Sequence, residues 1–243
     1  MTEALCRTDP YLQEAEARVL ATPEGGVVLD RTPCFARGGG QPGDAARLVW
    51  DGGEARVVEA VKGEGEAILH RIADGDPLPA ALPPPGTALR VILDWDRRHR
   101  HMRMHTSMHL LCSLIPGAGV TGGQVGAEKS RLDFDLAEPP SKEWLEERLN
   151  ALIAADHPVS ESWISEAELD ANPGLVRTLS VQPPRGAGRI RLVRIGAQDA
   201  PVDLQPCGGT HVRSTREIGG IRVLKLENKG RQNRRISIAL QED

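Results

Sequence analysis

The sequence predicts an α+β protein in two parts. Residues 1–93 read as mostly β, and residues 94–243 read as helices and strands interspersed on a largely antiparallel sheet. Three observations carry this. Short alternating runs with glycine-containing turns between them fill the first part. The composition changes near Asp94, where a base-dense stretch opens a helix. Beyond it, apolar periods near 3.6 and near two residues succeed one another, with hairpin-type turns between strands.

Taken in order, Ala17–Ala21 and Val27–Asp30 flank Thr22-Pro23-Glu24-Gly25-Gly26 as a hairpin. Leu48–Trp50 and Ala55–Val61 flank Asp51-Gly52-Gly53 as another. Ala67–Arg71 and Leu89–Leu93 complete a set that suits a small barrel or sandwich. Between them, Asp76–Pro79 and Pro83–Gly86 form a proline-rich loop. The segment from Asp94 to Pro116-Gly117 reads as a helix whose core stripe is Met104, Met108, Leu111 and Ile115. Val120–Gly126 reads as a glycine-rich turn and Arg131–Leu136 as a strand. Ser141 caps a helix to about Ala155 with Leu145, Leu149, Leu152 and Ile153 as its apolar stripe. Val159–Ile164 is a strand, and Ser165 with Glu168 forms a capping box. Strands then follow at Arg189–Ile195, Glu217–Leu226 and Arg234–Leu240.

At 243 residues there is room for two modest domains. No apolar run is long enough to span a membrane, and Met1–Cys6 does not open a secretory signal. The four cysteines are scattered without a CxxC, which suits a reduced, cytoplasmic protein. The net charge of −4 supplies no global attraction for polyanions, so a nucleic-acid partner needs a local basic patch. Aromatics at 3% argue against binding single strands by serial stacking.

Two pairs of residues carry chemistry. His105 and His109 stand four apart in the helix, so both imidazoles leave one face. Cys207 and His211 stand four apart across Gly208-Gly209, which reads as a turn. Together they make a nitrogen and sulfur donor set that suits Zn²⁺. Cys112 lies on the same helical stripe as the histidines and is a rival ligand, but a small buried hydrophobe is the better reading. Spacing does not decide between a closed structural site and an open catalytic one. In the first part, Arg37-Gly38-Gly39-Gly40-Gln41-Pro42-Gly43-Asp44 matches no phosphate-binding fingerprint. Spacing favours a strained loop there over a backbone surface offered to a ligand. Arg97, Arg98 and Arg100 are either a solvated helix end or contacts for a nucleic-acid backbone.

The run His105-Thr106-Ser107-Met108-His109, then Arg131–Phe134, Val202-Asp203, Cys207-Gly208-Gly209-Thr210-His211-Val212, Glu217–Gly219 and Arg234–Ile236, resembles the editing domain of alanyl-tRNA synthetases. With no aminoacylation domain in the sequence, the chain resembles the free-standing AlaX proteins. Gly38–Asp44 resembles the glycine-rich motif of their medium-length type. The resemblance implies a translation-factor-like N-terminal β-barrel, followed by an editing domain shared with threonyl-tRNA synthetases. It implies zinc on His105, His109, Cys207 and His211. The implied reaction is hydrolysis of the ester in mischarged tRNA(Ala), with serine the expected wrong amino acid and glycine the second. Thr106 then becomes a candidate for the serine hydroxyl. Gln124 and Gly38, Gly39, Gly40 and Gln41 become candidates for the terminal adenosine or aminoacyl group, and Arg97, Arg98 and Arg100 for acceptor-stem phosphates. The rival readings are a zinc-stabilised tRNA-binding module without catalysis, and a zinc hydrolase of a small ester or amide.

Overall fold

A computed structural model describes residues 1–73, 82–179, 182–183, 185–186 and 188–241. The Asp76–Pro79 part of the expected proline-rich loop lies outside the described residues. The chain divides into two compact units, Met1–His99 and Arg100–Asp243.

In the first unit, β1 (Glu3–Ala4) pairs in parallel with β4 (Arg31–Thr32). The other strands are β2 (Glu14–Ala21), β3 (Gly26–Leu29), β5 (Ala46–Trp50), β6 (Gly53–Lys62), β7 (Ile68–Ile72) and β8 (Ala88–Leu93). They close a barrel in the order β2-β3-β7-β6-β5-β8. Closure pairs both edges of every barrel strand among the described residues. Alternation decides what faces inward: Ala17 and Val19, Val27 and Leu29, Ala46 and Leu48, Ala55 and Val57, and Leu89, Val91 and Leu93 are all buried together. His70 takes an inward position between Ile68 and Ile72 and is fully buried. Its Nδ1 lies 3.1 Å from the Val27 carbonyl and its Nε2 2.8 Å from the Thr32 hydroxyl, so the neutral ring is satisfied at both nitrogens.

The glycine-rich loop is explained by its own backbone. Gly38 and Gln41 exchange both main-chain hydrogen bonds, at 3.1 and 2.9 Å, across Gly39 and Gly40 at φ 56° and 81°. Two central residues at positive φ are what a tight hairpin turn of the I′ type needs. Gly43 is required for a different reason, since a Cβ there would sit 1.9 Å from the Ala60 carbonyl oxygen. Gln41, expected to meet a ligand, is instead 1% exposed, because the turn folds it back onto the unit.

Helix α1 (Trp95–Ser113) begins in the first unit and continues in the second. Its first turn corrects a second expectation. Arg98 does not face solvent; its side chain is fully buried and forms an ion pair with the equally buried Asp44. Its remaining donors reach the carbonyls of Pro10 and Pro33, both at 2.8 Å. A buried guanidinium is stable only with such a set of acceptors.

The second unit holds two antiparallel sheets where a single one was expected. One has the order β14-β15-β10-β9, from β9 (Gly119–Gln124), β10 (Ser130–Asp135), β14 (Ile221–Asn228) and β15 (Asn233–Leu240). The other has the order β11-β12-β13, from β11 (Val159–Ser165), β12 (Arg189–Gly196) and β13 (Pro201–Pro206). Helix α2 (Lys142–Ala154) is capped by Ser141 and buries Leu145, Leu149 and Ile153. Asn150 exchanges hydrogen bonds with the Ile221 backbone at 2.8 and 2.9 Å, and Glu146 accepts from Val223 N–H at 2.8 Å. Side chains of α2 thereby occupy backbone groups of the edge strand β14. Helix α3 (Glu166–Ala171) carries the full Ser165/Glu168 capping box.

Two segments differ from expectation. The Val120–Gly126 stretch is mostly strand, because Gly122 and Gly123 allow close approach; a Cβ on Gly123 would lie 3.0 Å from Leu132 and 3.5 Å from Met108 of α1. Residues Thr215–Ile218 form a capped 3₁₀ turn, so the strand expected from Glu217 starts at Ile221.

Candidate metal centre

The ligand atoms of His105, His109, Cys207 and His211 all lie within 4.8 Å of one another. Helix α1 supplies the first two from one face. The turn after β13 supplies the others, Cys207 and His211. Cys207 Sγ is 3.2 Å from His211 Nε2 and 3.6 Å from His105 Nε2. The three imidazoles are buried, while Cys207 as a residue is partly exposed and is followed by the exposed Gly208.

His109, His211 and the Cys207 turn are each held from behind. His109 Nδ1 donates to Asp203 at 2.8 Å, which leaves Nε2 for the centre. Asp203 in turn accepts from Gln205 Nε2 at 2.8 and 3.0 Å. His211 Nδ1 is 3.1 Å from Thr106 Oγ1, which also accepts from Val212 N–H at 3.3 Å and donates to the Met102 carbonyl at 2.9 Å. Those three bonds fill the capacity of the hydroxyl. Thr106, expected at the serine hydroxyl of a substrate, is therefore fully buried behind His211 and fixes its tautomer. Arg191 holds the turn, donating to the carbonyls of Cys207 at 2.7 Å and Gly209 at 2.9 Å while pairing with Glu161. Gly209 N–H points at the Cys207 sulfur, 3.4 Å away.

The electrostatics suit a cation. Burial raises the Cys207 thiol, but His105 and His211 outweigh it, and the thiol falls well below its usual range. Burial pushes His211 down to about 3. For His109, burial pushes down, but hydrogen bonds to Asp203 and Cys207 prevail and raise it to about 10. Metal binding to such a set requires the sulfur deprotonated and each coordinating imidazole nitrogen free of its proton. Three imidazoles and one thiolate, each with its lone pair directed inward, fit tetrahedral Zn²⁺. Cys112 is not part of the cluster. It is buried one turn further along α1, where burial, reinforced by the Asp203 charge, raises its thiol to about 12.

Gly38, Gly39, Gly40, Gln41, Arg97 and Arg98 belong to the first unit. Arg97 donates to the Gly43 carbonyl at 3.4 Å, and Arg100 to the Ala127 carbonyl at 3.3 Å. Gln124 is exposed at the end of β9. Sequence reading missed the supporting role of Asp203 and Gln205. The signal was present: residues 203, 205 and 207 alternate as polar positions on one strand face running into the turn.

Residues 190–237 match the model of the threonyl and alanyl tRNA synthetase second additional domain. The chain is 40% identical over 248 aligned residues to the alanyl-tRNA editing protein AlaX-M of Methanosarcina acetivorans, covering 99% of both chains. It is 35% identical to the AlaX-M protein of Saccharolobus solfataricus, over 97% of this chain and 98% of the other. It is also 37% identical to the alanine–tRNA ligase of Pyrobaculum arsenaticum, over 93% of this chain and 25% of that enzyme. A match of this identity, covering 99% of both chains, places the chain in the AlaX-M family of alanyl-tRNA editing proteins.

Proposed function

We propose that the protein is a trans-editing deacylase that hydrolyses the ester of mischarged Ser-tRNA(Ala), and of Gly-tRNA(Ala) second, at a zinc centre formed by His105, His109, Cys207 and His211. The observation that carries this is the four-residue cluster with Asp203 behind His109 and Thr106 behind His211, in a chain of the AlaX-M family. The task has a physical rationale. Serine differs from alanine by one hydroxyl, and a small apolar pocket cannot reject it strongly, so a second, hydrolytic site supplies the missing discrimination.

An aminoacyl ester is already activated, so the protein has mainly to position it and stabilise developing charge. When bound, zinc supplies Lewis acidity for a carbonyl oxygen or a water. The chain's own residues do the rest. Asp203 and Thr106 fix the orientations of His109 and His211. Arg191 holds the Cys207–Gly209 turn in place. Cys207, the one residue of the four that is not fully buried, marks the side from which the tRNA terminus enters. Exclusion of bulk water by the buried imidazoles keeps the electrostatics of the centre strong.

The test is incubation with Ser-, Gly- and Ala-tRNA(Ala). Release of serine and glycine with alanine retained is expected; equal release of all three, or of none, overturns the reading. His105→Ala is expected to lose zinc and deacylation together. Chelation separates the enzyme from a non-catalytic module: loss of turnover with the fold intact supports the deacylase, and loss of the fold supports the module. Salt-sensitive tRNA binding separates it from a hydrolase of small esters.

A further inference from the structure

The Cys207 side of the centre has an aromatic neighbour. In the antiparallel register of β11 and β12, Trp163 stands directly opposite Arg191. On the other side of Arg191, Cys207 N–H donates to the Arg191 carbonyl at 3.1 Å, which continues the β12–β13 ladder by one residue. Residues opposite one another in antiparallel strands project from the same face. Trp163, Arg191 and Cys207 therefore form one row across the sheet. The bonds between the Arg191 and Glu161 side chains confirm the shared face, because Glu161 is two residues from Trp163 on β11. Two inter-strand spacings separate Trp163 from the metal-ligating cysteine, about 10 Å.

Trp163 is 47% exposed, among the most exposed large apolar side chains described, although Val193 and Ile195, on the same face of the neighbouring strand β12, are fully buried. The Arg191 side chain between them is only 9% exposed and is committed to Glu161 and to the Cys207 and Gly209 carbonyls, so it keeps the gap rigid. Arg189, next along the same face opposite Ser165, is exposed and adds a cation. An indole face beside a cation, one nucleotide's span from a reactive centre, suits a base whose ribose carries the ester. One such platform is compatible with a composition too poor in aromatics for serial stacking.

We propose that Trp163 is a stacking platform for a base at the 3′ end of the substrate tRNA, setting the distance between that base and the centre. The proposal rests on the deacylase reading and adds the subsite that holds the nucleic acid. Deacylation of Ser-tRNA(Ala) is measured with the native protein, Trp163→Ala and Trp163→Phe, each on tRNA with a normal 3′ end and on tRNA made abasic at its terminal nucleotide. Zinc content is expected to be unchanged in all three proteins. Loss of a base–aromatic stack predicts a KM rise of about 5- to 150-fold for Trp163→Ala. Phenylalanine restores most of it. On abasic tRNA the native protein shows the same rise, and Trp163→Ala adds nothing further. If the native protein deacylates and Trp163→Ala matches it on both tRNAs, or if the two losses simply add, stacking on the terminal base is overturned while editing stands. If the native protein does not deacylate, editing fails, and the platform is read from binding of the same two tRNAs uncharged. Weaker binding by Trp163→Ala to the normal 3′ end alone supports it, and equal binding overturns it.

Discussion

The residues that decide this centre lie one bond behind its ligands. Asp203 and Thr106 each make a hydrogen bond to the far nitrogen of an imidazole, which fixes where the near lone pair points. Asp203→Asn, which replaces the charged acceptor, is expected to weaken zinc binding about 10- to 100-fold, read by competition with a chelator of known affinity. An unchanged affinity would show that His109 is oriented by packing alone. His70 shows the same economy of bonding with a different consequence. Burial pushes its pKa down to about 4. The unfolded ring protonates near 6.5, so between those values the unfolded chain binds a proton that the folded one does not. Stability is therefore complete above about pH 6.5 and falls as the pH drops toward 4, by roughly 3 kcal/mol in all. Denaturant unfolding followed across that range should show the slope, and His70→Gln should flatten it.

At the scale of elements, α1 does two kinds of work along one helix. Its first turn places Arg98 in a buried ion pair with Asp44, and its later turns place His105 and His109. A density of arginines that reads as a surface for phosphates is partly spent indoors: Arg98 on Asp44, Pro10 and Pro33, and Arg103 on the Ile218 carbonyl at 2.9 and 2.6 Å. Arg98→Ala strands the Asp44 carboxylate and is expected to cost about 3–5 kcal/mol of stability in denaturant unfolding. Arg98→Met combined with Asp44→Asn should cost less than Arg98→Ala alone, since no charge is then left unpaired. The strands were legible wherever alternation was clean, as in β5, β6 and β8. Strand β9 was not, because glycines that let it run close to Leu132 and Met108 read locally as a turn. The 3₁₀ turn at Thr215–Ile218 was missed for a related reason: its Ser214/Glu217 capping box stands inside a run that otherwise alternates like a strand.

For the whole molecule, the order of elements and the ligands themselves were in the sequence. Periodicity, turn chemistry and donor type are local properties, and four residues of zinc-binding type at helix and turn spacing remain visible however the chain folds. The closed order β2-β3-β7-β6-β5-β8 and the division of the second unit into two sheets came only with the structure, because pairing between distant strands is not written in any one of them. The same holds for the burial of Arg98 and Gln41, the withdrawal of Thr106 behind His211, and the row joining Trp163, Arg191 and Cys207. Each depends on which face a residue presents to a partner far along the chain. A strand's register sets that face, and a slip of one residue would reverse it.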